Sequence, residues 1–297
     1  MYFRIHTGDV AYLTGQPRGL FTAVGKLADA KELSEEEERE YRKNRAYFER
    51  ILPVPPFYEK GNPDRATTWF KESEKGRRIF HETSFYRRML DKYGKKLYLS
   101  SCGEAPGEVI YEDDFQIAVK APAKDAQVRT EALPWPIRQI TGEDVPECVR
   151  MIRESFKTVA SEFGITEENA PRFTAFATDE KRLRWHLEGE RRPMYSYFRE
   201  GKMVGYYSLL EKEGGICELN NLAVLPAFRR RGIGEELLFD SFARARELGA
   251  EKMTLGMVEE NRALREWYES HGFAHTGAVK YDFFPFTCGY MEKDLRL

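Results

Sequence analysis

"NLAVLPAFRRRGIGEELLFDSFARARELGA", Asn221 to Ala250, holds the pattern that decides how this 297-residue chain folds. An apolar run ends at Leu225 and Pro226. Three arginines and two glycines follow, and then Ile233, Leu237, Leu238, Phe242, Ala245 and Leu248 recur at helical spacing, with Gly249 placed to end the helix. A strand therefore feeds a helix through a glycine turn. The first N–H groups of such a helix have no acceptor within it and point the same way, which makes the turn an anion site. Gly232 and Gly234 let the main chain approach a ligand where a Cβ would intrude, while Ile233 between them faces the core. Each helix-terminus contact contributes roughly 0.3 to 2 kcal/mol, so several amides with Arg229, Arg230 or Arg231 would together hold a diphosphate; the competing reading is solvated surface arginines before an ordinary glycine turn. A dinucleotide fold would want its glycines after the first strand, and a P-loop would want Lys-Ser or Lys-Thr after the last one; neither is present.

Outward from this stretch, "MYSYFREGKMVGYYSLLEKEGGICELNNLAVL" before it contains three apolar runs parted by the hairpin signals "REGK" and "KEGG". Upstream, "PIRQIT" predicts a short strand, followed by helices near 144–156 and 179–187 and a less regular stretch between them. Downstream, "KMTLGMV" predicts a strand, "NRALREWYESHG" a helix, and 274–284 and 287–294 two closing strands. The first part of the chain is of a different make. "YFRIHT" predicts a strand, and Ser34 with Glu37 three residues on is a capping-box start for a helix running to about Arg50. "VPPF" enforces a break, a helix is expected over 77–93, and "KKLYLSS" and "GEVIYEDDFQIAV" are expected strands. Between Lys120 and Trp135 the text loses both periodicities. The expected organisation is an α+β chain of two domains: a smaller α+β domain at 1–120, a linker at 121–135 and a second domain at 136–297.

Composition narrows the partners. The formal net charge is only -2, so no global field favours nucleic acid or an anionic membrane surface. Cys102, Cys148, Cys217 and Cys288 lack the spacing of a zinc site or disulfide framework, and reduced thiols in a cytoplasmic, soluble protein are expected. No resident metal is expected: His6 and His81 lack partners at ligand spacing, and the run Glu112-Asp113-Asp114 is more often solvated than metal-binding.

Arg229-Arg230-Arg231-Gly232-Ile233-Gly234 resembles the (Arg/Gln)-x-x-Gly-x-(Gly/Ala) signature of the GNAT acyl-CoA-dependent N-acyltransferases. Asn261, Leu264, Tyr268, Gly272 and Phe273 are similar to that family's second motif, on the helix after the fifth strand. The resemblance covers about the last 160 residues and leaves about the first 120 untouched. It implies a mixed, mostly antiparallel sheet flanked by helices, with acetyl-CoA as co-substrate. It further implies that the main chain of Leu222, Ala223 and Val224 holds the pantetheine arm, that 229–234 hold the diphosphate, and that Asn261 contacts the same molecule.

The implied reaction is attack of an amine on a thioester. An alkyl amine of pKa near 10.4 is protonated at neutral pH, and freeing its lone pair costs about 4 to 5 kcal/mol, so a base matters. Protonating the leaving thiol, of pKa near 8.5, is worth roughly 2 kcal/mol at most. Holding amine and thioester in contact contributes up to roughly 7 to 11 kcal/mol. By resemblance Tyr268 is the acid; packing on the sheet is its competing role. Glu218, four residues before Leu222 and so expected on the same strand face, is the candidate base, with a salt-bridged strand carboxylate as the competing reading. Asn220 is expected beside it, positioning the amine, whereas His271 is expected at the surface. Phe173, Phe176 and Phe284 fall where this fold walls its acceptor cleft, although such aromatic residues also build cores. The expected function is acetyl transfer to a primary amine of a small molecule or peptide by direct attack in a ternary complex, with neither nucleic acid nor membrane as partner. A homodimer is left open, and a non-catalytic acyl-CoA sensor with recognition by the first domain is the rival.

Overall fold

The structure, a computed structural model, describes residues 1–120 and 126–296. The described chain divides into two compact units, Met1–Trp135 and Pro136–Arg296. The first unit contains β1 (Tyr2–Val10), β2 (Pro17–Gly19), α1 (Leu20–Asp29), α2 (Glu35–Ile51), β3 (Thr67–Lys71), α3 (Glu74–Glu82), α4 (Ser84–Lys92), β4 (Leu97–Cys102), β5 (Val109–Glu112), β6 (Gln116–Val119) and β7 (Arg129–Ala132). Its sheet runs β5-β6-β3-β1-β4-β7, with β2 paired to β1 outside that path. One core joins Phe3 and Ile5 of β1 to Leu20, Val24 and Leu27 of α1, at the i, i+4, i+7 spacing that an amphipathic helix buries, and to Phe85, Met89 and Leu90 of α4. On another side Trp69, Cys102, Ile117 and Val119 pack together.

Two expectations change here. The helix expected over 77–93 is two helices, broken at Thr83, whose hydroxyl donates to the Phe80 carbonyl at 2.6 Å. The expected linker holds a strand: β7 pairs with β4 from Tyr98↔Ala132 to Ser101↔Arg129, and residues 121–125 lie outside the described ones. Four exposed residues alternate no apolar face, so periodicity could not reveal β7. The carboxylates of 112–114 have protein partners: Glu112 meets Lys71 at 2.6 Å, Asp114 meets Lys75 at 2.5 Å, and Asp113 accepts from the Phe115 and Gln116 amides.

The capping box of α2 is present. Glu37 N–H donates to the Ser34 hydroxyl at 3.2 Å, and Ser34 N–H donates to the Glu37 carboxylate at 2.8 Å. Burial works against the charge of Glu37, but the Lys92 ammonium, the Ser34 amide and the Tyr93 hydroxyl outweigh it and hold its carboxyl at about 2. A carboxyl depressed by folding stabilises above its unfolded pKa and stops doing so as pH falls through the folded one. Acid titration followed by circular dichroism should therefore show the first unit losing about 1 to 2 kcal/mol between roughly pH 4.3 and 2, after allowance for solvent screening. Glu37→Gln should flatten that loss.

The second unit contains β8 (Ile137–Gln139), α5 (Val145–Glu162), α6 (Thr174–Ala177), α7 (Glu180–Arg184, continued by one π turn), β9 (Met194–Arg199), β10 (Lys202–Lys212), β11 (Ile216–Val224), α8 (Ile233–Glu247), β12 (Lys252–Val258), α9 (Arg262–Ser270), β13 (Ala274–Lys280) and β14 (Thr287–Asp294). Its sheet runs β13-β14-β12-β11-β10-β9-β8, and every neighbouring pair is antiparallel except β11 with β12. Both units mix helices with mostly antiparallel strands, which is the α+β class the sequence implied. On one face α5 and α7 pack Val145, Cys148, Ile152 and Leu183 onto Met194, Tyr206 and Ala223. On the other lies α8, where a Cβ on Gly205 would come within 2.7 Å of Leu237 and 3.4 Å of Ile233. Beneath α8 the Tyr207 hydroxyl donates to fully buried Asp240 at 2.6 Å, and Arg244 lies 3.7 Å from the same carboxylate, which fixes the helix to β10. Among the described residues no helix is long and apolar enough to cross a membrane.

Candidate active site

β11 and β12 pair only at Ile216↔Lys252, Cys217↔Met253 and Glu218↔Thr254, although β11 continues to Val224 and β12 to Val258. The parallel neighbours therefore part beyond Glu218, and the edge of β11 from Leu219 onward is left without a β12 partner. Asn221 adds to the distortion. Its φ is 54°, a left-handed value that asparagine tolerates better than most residues, and here three residues of β10 span four of β11, from Tyr206↔Ala223 to Ser208↔Asn220. The bulge corrects the expectation that Glu218 shares a face with Leu222. Tyr206 and Ser208 lie on one face, so their partners Ala223 and Asn220 do too; Glu218 joins Asn220, and Leu222 turns to the α8 side. The signal was present in the consecutive asparagines 220 and 221.

Past the strand end, Pro226–Phe228 form a single 3-10 turn and the arginines follow. They do not act alike. Arg229 donates to the Val224 carbonyl at 3.0 Å, to the Ser155 carbonyl at 2.9 Å and to the Thr158 hydroxyl at 2.9 Å. Burial holds its guanidinium below the ordinary value. Its side chain therefore ties the strand end to α5, a task different from the phosphate contact that the resemblance implied. Arg230 and Arg231 are exposed, Arg230 at φ 59° and Arg231 with its guanidinium 5.5 Å from the Phe228 ring centroid. Gly232, at φ 80°, is the N-cap of α8 and supplies no side chain to it. By helix geometry the amides of Ile233, Gly234 and Glu235 then lack intrahelical acceptors. Ile233 is buried as expected.

Gly234 has no intramolecular reason to be glycine. Its backbone is not left-handed, and a Cβ there would meet only Trp267 at 3.8 Å and Val224 at 3.9 Å, ordinary contact distances. An open, uncapped helix mouth beside an unpaired strand edge fits a diphosphate with an extended arm. Trp267, which sequence reading passed over, stands beside that mouth, half-buried and 4.6 Å from the ring of His271. His271 bonds to the Trp267 carbonyl at 2.6 Å and to the Glu235 carboxylate at 3.2 Å, joining α9 to the first turn of α8.

Asn261 is the N-cap of α9, its carbonyl oxygen accepting from the Leu264 amide at 3.1 Å. Tyr268, on the same helix, is buried, with ring centroids 5.3 Å from Phe273 and 5.0 Å from Trp267. Desolvation pushes its phenol above the ordinary value, so it keeps its proton at neutral pH.

On the α5 face, Glu218 is ion-paired with Lys212. Tyr290 of β14 feels the Glu218 charge and shares a hydroxyl–hydroxyl contact of 2.9 Å with Tyr281; that bond and burial push its phenol up to about 12. This tyrosine pair was not legible in the sequence, because its members lie nine residues apart on different sides of a turn and meet only through β14. The phenylalanines divide. Phe173 belongs to the core formed with Phe286 and Val258, whereas Phe176 and Phe284 are half-buried against it. Phe284 stacks on Phe286 at 4.7 Å, and Phe173 meets Phe286 at 5.7 Å. Packing thus claims Phe173, whereas Phe176 and Phe284 keep part of their surface exposed.

A diverging parallel pair, a bulged strand and an uncapped glycine turn thus meet at the end of β11. The model of the acetyltransferase (GNAT) family matches residues 159–273, which include both motifs. An uncharacterized N-acetyltransferase of Escherichia coli, YjgM, is 30% identical over 145 residues, covering 47% of this chain and 81% of that protein. The uncharacterized N-acetyltransferase YvbK of Bacillus subtilis is 28% identical over 95 residues, covering 32% of this chain and 61% of that one. Among solved structures, the PaiA N-acetyltransferase of Thermoplasma acidophilum in complex with coenzyme A is 20% identical with a TM-score of 0.45, over 53% of this chain and 97% of that chain. The chain belongs to the GNAT family. It is an acyl-CoA-dependent N-acyltransferase, and acetyl-CoA is its co-substrate.

Proposed function

We propose that this protein transfers the acetyl group of acetyl-CoA to a primary amine of a small molecule or peptide, by direct attack while both are bound. The observation that carries this reading is the uncapped mouth of α8 beside the stretch of β11 that β12 leaves unpaired. The amides of 232–235, with Arg230 and Arg231, would hold the diphosphate, and the main chain of Leu222 and Ala223 the arm. The Val224 carbonyl already accepts from Arg229, so that residue contributes through its remaining backbone group.

The amine nitrogen attacks the thioester carbonyl; a C–N bond forms, the C–S bond breaks, and one amine proton leaves. Glu218 would receive that proton directly or through water, the incoming ammonium competing with Lys212 for its carboxylate. Asn220, on the same face, would orient the amine. Tyr268, held protonated by burial, would donate to the departing sulfur. Phe176 and Phe284 would border the acceptor's carbon skeleton.

Free-thiol release from acetyl-CoA in the presence of an amine panel tests the reading. Turnover with at least one primary amine is expected, and Tyr268→Phe should lower kcat about 10- to 30-fold with coenzyme affinity intact, in keeping with the roughly 2 kcal/mol available to an acid here. Tight coenzyme binding with no thiol release from any amine would instead favour the sensor reading.

A further inference from the structure

The first unit contains a cavity of about 700 Å³ that is no part of the acyltransferase site. It opens where β1 changes partners. β1 pairs with β3 only through Tyr2 and Phe3, and with β2 from His6 onward, so Arg4 sits between the two pairings. Leu20, Phe21, Phe48, Phe70 and Tyr86 form apolar walls. Leu13, Val54 and Tyr58, among the few large apolar side chains left at least 40% exposed, also line it.

Its polar groups are unevenly matched. Lys26 has Asp29 at 3.7 Å and Arg45 has Glu49 at 2.8 Å, which uses both carboxylates of the lining. Arg4 has no carboxylate within ion-pair distance among the described residues; one terminal nitrogen donates to the Pro17 carbonyl at 2.7 Å. Desolvation, only partly countered by Tyr58, holds its guanidinium down to about 10, the signature of a cation that lacks an anion. Arg18 also lines the cavity.

We propose that this cavity is a binding site for a small organic monocarboxylate with an apolar or aromatic body, its carboxylate on the free edge of Arg4. The planar edge of a guanidinium matches two oxygens of a carboxylate. The apolar walls favour an anion that carries an organic body over inorganic phosphate, whose doubly charged group loses its hydration there with no apolar surface buried in return.

Calorimetric titration of the full chain with phenylacetate and hexanoate, beside phenylacetamide and hexanamide, tests the assignment. The carboxylates should bind, and the amides should bind at least about tenfold more weakly, since the charge-assisted bond is lost. Arg4→Met should weaken the carboxylates about 10- to 100-fold. If Arg4→Met does not fold, the comparison of acid with amide on the wild-type chain decides. Amides binding as tightly as acids, inorganic phosphate binding as tightly as either acid, or no binding by either acid would overturn the proposal.

Discussion

Gly234→Asp should weaken coenzyme A binding at least about 100-fold while leaving the fold as stable as before or slightly more so. The two effects have opposite signs for one reason. A carboxylate in the first turn of α8 faces the positive end of the helix and stabilises it by about 0.3 to 1 kcal/mol. No neighbour forbids the new side chain, since its Cβ would rest at 3.8 Å from Trp267 and 3.9 Å from Val224. Against a diphosphate, the same carboxylate is a like charge a few ångströms away, a repulsion of about 3 to 4 kcal/mol at an intermediate effective dielectric, or a loss of at least about 100-fold in affinity. Gly234→Asn, close in shape and uncharged, should lose far less. Calorimetry for affinity and thermal unfolding for stability separate the two effects. A Gly234→Asp chain that binds coenzyme A like the wild type would remove the diphosphate from this helix mouth.

Glu218→Gln should slow acetyl transfer by about 100-fold at pH 7, within the range expected of a positioned base, and by no more than about threefold near pH 10. The convergence carries the argument. Near pH 10 an alkyl amine of pKa about 10.4 supplies its own free base, so the residue that removes its proton becomes dispensable. Initial rates of thiol release across that range, at saturating coenzyme, give the profile. A loss of equal size at every pH would mean that Glu218, ion-paired with Lys212, holds the amine without taking its proton.

The second unit was legible because its strand, glycine turn and helix are written contiguously. The strand end, the glycines and the apolar positions of α8 lie within thirty residues, and each follows from backbone geometry that any sequence must obey. What the sequence hid was the outcome of competition between roles. Three consecutive arginines look equivalent in text, yet only Arg229 lies where the Val224 and Ser155 carbonyls and the Thr158 hydroxyl meet, and that contact comes from α5, more than seventy residues away. The face assigned to Leu222 failed because period-two counting assumes an unbroken ladder, and a left-handed Asn221 breaks it. Phe173 could not be told from Phe176, since which of two nearby rings is enclosed depends on Phe286 and Val258 in the distant β14 region and β12. In the first unit the capping box of α2 was readable because it is local, whereas β7 and the Arg4 cavity arise from strand exchange between segments far apart.

A crystal structure of the chain with coenzyme A decides whether the mouth of α8 holds the diphosphate. Diphosphate oxygens are expected within about 3.2 Å of the backbone nitrogens of Ile233, Gly234 or their immediate neighbours, with the arm running along Leu222 and Ala223 into the gap between β11 and β12. A nucleotide bound elsewhere, with the first turn of α8 left to solvent, would contradict that placement.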